Sequence, residues 1–165
     1  MNRITRTKLV VISLVKFPFM AIGGLRRLPG RVGKTYTIEK AGRYSIFRET
    51  VNRRAGHDTP VVLVIGFRLK LIGSNALLHW LFQRVCILTT PFWCGLKGFK
   101  IKLWMVDRTT KNYLGIYEWL GEKNARTYID FLIPILRFFS IPSTIWHKTH
   151  SNTTVDDFLR RIEVG

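Results

Sequence analysis

Residues 98–119, GFKIKLWMVDRTTKNYLGIYEW, read as a β-hairpin, and the fold is decided by them. Phe99, Ile101, Leu103 and Met105 alternate with Lys100, Lys102, Trp104 and Val106, the two-residue period of a half-buried strand. Asp107 to Asn112 is polar and rich in turn formers, so the chain reverses there. Tyr113 to Trp119 returns with Leu114, Ile116 and Glu118 on one face and Tyr113, Gly115, Tyr117 and Trp119 on the other. One face of the first strand is wholly apolar. The other sets Lys102 beside Trp104, which suits a pocket wall or an interface as well as an exposed lysine next to a partly covered tryptophan.

Working outward, residues 61–72 form a strand, with Leu63, Ile65, Phe67 and Leu69 on one face and Val62, Val64, Gly66, Arg68 and Lys70 on the other. Ser74 or Asn75 then caps a helix over 76–88, whose Leu77, Leu78, Leu81, Val85 and Leu88 recur at helical spacing, and whose His79 and Cys86, seven apart, share a face that reads as core packing rather than a metal site. After the hairpin, a second helix runs over about 122–140 with Pro134 inside it, where a kink is expected, and Pro142 ends it. Residues 143–150 make a last strand, and Thr154 caps a final helix with Asp156 and Asp157 in its first turn. The order strand, helix, strand, strand, helix, strand predicts an α+β, ferredoxin-like split βαβ sandwich with a basic N-terminal extension. A face holding Val64, Arg68, Lys102, Trp104, Ile116 and Glu118 is expected to point away from the two helices, with Ile101, Leu103 and Met105 beneath them. Such a face is too apolar to remain wet, and a symmetric partner is its expected cover, making a homodimer.

The chain carries 27 Lys and Arg against 10 Asp and Glu, a net charge of +17. Residues 1–55 hold 13 of those cations and only 2 of the acids. An excess of this kind favours an anionic surface, phospholipid or nucleic acid. Lys97-Gly98-Phe99 begins an RNP1-like pattern, but Lys100 and Ile101 break it, and nucleic acid is not the expected partner. Cys86 and Cys94 fit neither a disulfide framework nor a zinc motif and read as buried thiols.

Three segments follow. Residues 1–28 are a membrane-seeking stretch: Leu9 to Leu25 is apolar but short, and it holds Lys16 and Pro18. It can lie in the membrane interface, act as a secretory signal, or pack on the domain or a partner. The first is preferred, with Lys8, Lys16, Phe17, Phe19, Arg26 and Arg27 as its membrane-binding residues and a peripheral place on the cytoplasmic face. Residues 29–60 are an extended arm and linker with two short strands or arms, and 61–165 form the ferredoxin-like domain.

The run from Gly98 to Leu132, with its Gly-Phe, lysine–aromatic strand, polar hairpin, Gly-x-Tyr strand and the Ala125/Tyr128 spacing on the next helix, resembles the dimeric α+β barrel superfamily over residues 61–151. That superfamily includes antibiotic-biosynthesis-type monooxygenases, and the resemblance implies a fold more than an activity. What it implies is a monooxygenase-like protein binding a hydrophobic or aromatic small molecule at a membrane surface; the alternative is a non-catalytic accessory subunit docking on a membrane-protein complex. Glu118 is then the candidate base, with Lys102 or Arg68 holding the oxyanion, and Trp104, Val64, Ile116 and His147 are ligand-binding candidates. His147 and His150 share a strand, but two ligands are not a metal site. The superfamily's haem-degrading members use an Asn and a ligating His; His79 lies on the first helix, but Asn75 comes too early for that role. No cofactor is expected.

Overall fold

The computed structural model describes residues 7–12, 14–15, 25–26, 30–38, 41–53, 55–56, 58–70, 75–88, 90 and 94–163. In chain order the strands and helices are β1 (Leu25–Arg26), β2 (Thr35–Ile38), β3 (Gly42–Asn52), β4 (Pro60–Phe67), α1 (Ala76–Leu88), β5 (Phe99–Val106), β6 (Tyr113–Leu120), α2 (Glu122–Phe139), β7 (Trp146–Ser151) and α3 (Val155–Glu163). One antiparallel sheet contains them in the order β1-β3-β5-β6-β4-β7, with β2 also paired to β3. The stretch β5-β6-β4-β7 is the split βαβ arrangement: β4 lies between the two strands that follow it by the longest connections. This is a ferredoxin-like α+β fold. β3 extends it, running along β5 from Ser45 opposite Val106 to Val51 opposite Ile101.

The hairpin turn fixes the register. Asp107 Oδ1 accepts the backbone N–H groups of Thr109 (2.8 Å) and Thr110 (3.0 Å), and the Asp107 N–H donates to the Asn112 carbonyl at 2.9 Å. A side-chain oxygen satisfying the amides of its own turn is the usual service of Asp in such loops. Val106 then faces Tyr113, Trp104 faces Gly115, and Lys102 faces Tyr117. Cross-strand partners share a face, so Lys102 and Trp104 go with the tyrosines of β6.

That places them under the two helices, the reverse of the expectation. The helix-covered face holds Leu63, Ile65, Phe99, Trp104, Tyr117 and Trp119, packed against Tyr128 and Phe131 of α2 and Cys86 of α1. Ile101, Leu103 and Met105 lie on the opposite face with Val64 and Ile116. A bulge between Phe99 and Ile101 sends Phe99 to the lysine side, breaking the strict alternation read along 99–105.

The second face is not left open for a symmetric partner. Val155, Phe158 and Leu159 of α3 are buried on it, together with Tyr36, Tyr44 and Ile46 from β2 and β3. Each such apolar side chain contributes roughly 1.5–3 kcal/mol when fully buried. The argument for a homodimer therefore loses its basis, because the chain covers this face itself. Thr154 caps α3 as expected: its hydroxyl accepts the Asp157 N–H at 3.1 Å.

α1 keeps its His79 and Cys86 face inward, as their spacing leads one to expect. Asn75 caps it, its Oδ1 accepting from the Leu77 and Leu78 N–H groups at 3.0 and 3.2 Å. His79 and Cys86 are buried, and Phe82 packs on Phe67 and Tyr113. Leu77, Trp80 and Leu81 are 69%, 52% and 49% exposed and face outward. Both faces of this helix are apolar, and periodicity alone cannot choose between two such faces. α2 runs through Pro134 to Phe139, ending before Pro142 as expected.

Candidate functional site

Lys102 is the central feature of the helix-covered face. Only 3% of it is exposed, and its Nζ lies 3.1 Å from the Trp104 ring centroid and 4.7 Å from that of Tyr117. Gly115, opposite Trp104, makes the site possible: a Cβ there would stand 2.6 Å from the Tyr117 ring. Burial strips the amine of water and lowers its pKa well below that of an ordinary lysine. The thiols of Cys86 and Cys94 act weakly against that shift, and the Arg48 guanidinium adds to it. At this distance over the indole ring, a protonated Nζ makes a cation–π contact, which acts against the shift that burial imposes.

The walls are chemically quiet. Desolvation pushes the Cys86 thiol up to about 12 and raises Cys94, Tyr117 and Tyr128 as well. Such thiols are poor nucleophiles. Arg48, on β3 opposite Trp104, reaches this region from the sheet edge, and its Nη2 donates to Thr90 Oγ1 at 3.1 Å. Among the described residues the basic groups at the site are thus one buried amine and one guanidinium, side by side with an indole and a phenol.

The other expected catalytic residues are elsewhere. Glu118 sits on the opposite face: its Oε2 accepts the Val155 N–H at 2.8 Å and its Oε1 pairs with Lys100 Nζ at 2.7 Å. It anchors the start of α3. Arg68 is exposed beyond the end of β4, where its backbone N–H donates to Thr144 Oγ1 at 3.0 Å and its carbonyl accepts from Ile141. Lys102, Glu118 and Arg68 therefore do not form one site. Val64 and Ile116 are buried beneath α3 and meet no ligand space with Trp104. His147 lines a separate cleft of about 570 Å³ between α2 and β7. His79 Nδ1 is engaged with the Tyr113 hydroxyl at 2.8 Å and Asn75 is occupied as a cap, so the two do not assemble a haem site. No group of three or more His, Cys, Asp or Glu among the described residues could hold a metal ion.

Of the expected membrane-binding residues, Lys8 is exposed and Arg26 lies in β1; Lys16, Phe17, Phe19 and Arg27 lie outside the described residues. Residues 7–12 are helical, with Leu9 and Val10 packed on the helix-side core and Val11 and Ile12 exposed at 53% and 45%. No helix among the described residues is long and apolar enough to cross a membrane.

Two site members escaped the sequence reading, Arg48 and Tyr117. Tyr117 was within reach, because a turn spanning 107–112 pairs 106 with 113 and so 102 with 117. Arg48 was not, since nothing local states that β3 lies beside β5.

No family model matches this sequence, and no curated protein does. Solved structures similar to it include an uncharacterized ferredoxin fold protein related to antibiotic biosynthesis monooxygenases from Listeria monocytogenes 4b F2365, at a TM-score of 0.43 and 11% identity over 71% of this chain and 69% of that one. An anthrone oxidase-like protein aligns at a TM-score of 0.40 and 11% identity, over 68% of this chain and 57% of that one. The fold assignment rests on the strand order and helix placement given above.

Proposed function

We propose that this protein binds a hydroxylated or enolisable aromatic molecule beneath α1 and α2 and deprotonates it with Lys102, in monooxygenase-like chemistry at an anionic membrane surface. The observation that carries this reading is the buried Lys102 amine set on the Trp104 ring, its pKa lowered well below the ordinary lysine value by desolvation. The amine takes the phenol or enol proton and becomes ammonium. The organic anion is held by that ammonium and by Arg48, and Trp104 stacks on its ring. Where the substrate carries a methylene between two rings, dioxygen converts it to a carbonyl, one oxygen atom entering the product and the other leaving as water. Glu118 and Arg68 have no part in it.

The membrane element is supported by the exposed apolar side chains Val11, Ile12, Leu14 and Val15 and by the outward face of α1 (Leu77, Trp80, Leu81), in a chain of net charge +17. The same α1 face favours the second reading, an accessory subunit whose exposed leucines dock on a membrane-protein complex. Anthrone separates the two, since it enolises and its anion absorbs at longer wavelength. The enzyme reading expects anion absorbance on mixing, oxygen uptake and anthraquinone formation, all lost in Lys102→Met. Anthrone left neutral and unoxidised by the wild-type chain would leave the accessory reading standing. For the membrane, Leu81→Lys should weaken binding to phosphatidylglycerol vesicles by about tenfold or more, given roughly 1.5–3 kcal/mol per buried leucine.

A further inference from the structure

We infer that the cleft between α2 and β7 is a second binding site, one for an amphipathic monoanion, a single-chain carboxylate or phosphate ester. The cleft has a volume of about 570 Å³, and Lys102 is not among the residues lining it. That size lies within the range of roughly 300–1,000 Å³ usual for small-molecule sites. Its apolar part is Val61, Ala125 and Ile129, residues that also belong to the helix-side core or pack on it. Around them stand Lys123, Arg126 and His147.

The cations outnumber the acid. Glu122 is the one acid in the lining, and its Oε1 accepts the Ser151 hydroxyl. Lys123 and Arg126, both exposed, line the same cleft. A solvated basic face would lie on polar surface; here Arg126 shares the cleft with the half-buried Ile129, three residues further along α2. An anionic head meets Arg126, which offers a planar pair of donors, while the tail lies on Ile129. Thr149 adds a hydroxyl along the β7 wall. A cation would be repelled by the same pair, and a purely polar anion would leave the apolar part wet.

Calorimetric titration of the full chain with decanoate, decyl phosphate and decylamine, all below micelle formation, tests this. Both anions are expected to bind one to one and decylamine not at all. Arg126→Glu should weaken both anions about tenfold or more, and Ile129→Trp, which fills the apolar part, should do the same. Arg137→Glu, at the other end of α2, should leave them unchanged, as should Lys102→Met, which keeps this site distinct from the one proposed above. Thermal melts of each variant establish that it is folded. Equal binding of decylamine, or wild-type binding by folded Arg126→Glu and Ile129→Trp, overturns the assignment. Phosphatidylglycerol vesicles present the same anion in a bilayer; vesicle binding without decanoate or decyl phosphate binding would give the charge to a membrane surface and also overturn it.

Discussion

Replacing Lys102 with Met should change how stability depends on pH, and the sign follows from the amine's burial. In the folded chain burial lowers the Lys102 pKa well below its ordinary value; in the unfolded chain the amine titrates near 10.4. Between those two values the unfolded state holds one proton that the folded state does not. Stability then rises with pH, with a slope approaching about 1.4 kcal/mol per pH unit for that single proton. The useful window is narrow. Below it His150, whose pKa burial also lowers, adds a slope of the same sign. Above about pH 8.5 the thiols intrude: Cys86 and Cys94 stay protonated when folded but ionise when unfolded, so each contributes stability that is lost as pH rises. Urea unfolding at constant ionic strength between about pH 7 and about pH 8 isolates the lysine. With the folded amine neutral, as the deprotonation chemistry proposed for it requires, wild-type stability should climb by about 1 kcal/mol or more across that interval, and Lys102→Met should be nearly flat. Parallel curves for the two proteins would mean that the amine is charged when folded, and the deprotonation chemistry proposed for it would go with that result.

Three further outcomes are expected. Glu118→Ala should cost roughly 1–3 kcal/mol, chiefly by leaving the Val155 N–H without its acceptor, and limited proteolysis should then cut at α3 first. Asp107→Ala should cost about 1–2 kcal/mol in chemical unfolding by stripping the turn of its acceptor. Burial would raise the Asp107 carboxyl, but the hydrogen bonds from Thr110 and Thr109 outweigh it and hold its pKa below the usual value. Its contribution is therefore present above about pH 4 and lost as pH falls through the lower folded value, a loss that the Ala variant should lack. Gly66→Ala places a methyl 2.3 Å from Trp146 Nε1 and should lower stability by about 1–3 kcal/mol, with Trp146 fluorescence shifting red as the ring swings into water.

The fold was legible because its signals were local: alternating strands, a polar turn, the Asn75 and Thr154 caps, and the prolines Pro91 and Pro142 after the first two helices. The two faces of each strand could also be read, except at Lys100, where a bulge leaves no mark in the pattern of apolar residues. Matching faces between strands was harder. It needs register, and register came from the six residues of the 107–112 turn rather than from composition. The cover of the second face could not be read, because nothing in VDDFLRRIEV states which surface its apolar stripe will meet. For α1 the difficulty was abundance, since Leu77 and Leu81 on one side compete with His79, Phe82 and Cys86 on the other. Half of the site followed from the pairing of Lys102 with Trp104. Glu118 was drawn into it only because the strand faces had been joined in the wrong combination.

The position of α3 has a bearing on how the chain is made. Strands β3 and β5, and β4 and β7, close contacts between residues far apart in sequence, which is the slow kind of topology. The face formed by Val64, Leu103, Met105 and Ile116 exists once β6 has paired, yet one of its covers, residues 155–163, is synthesised only after α2 and β7. During that interval a nascent chain presents a wide apolar sheet to solvent, and with it an opportunity for chaperone capture or misassembly between neighbouring chains.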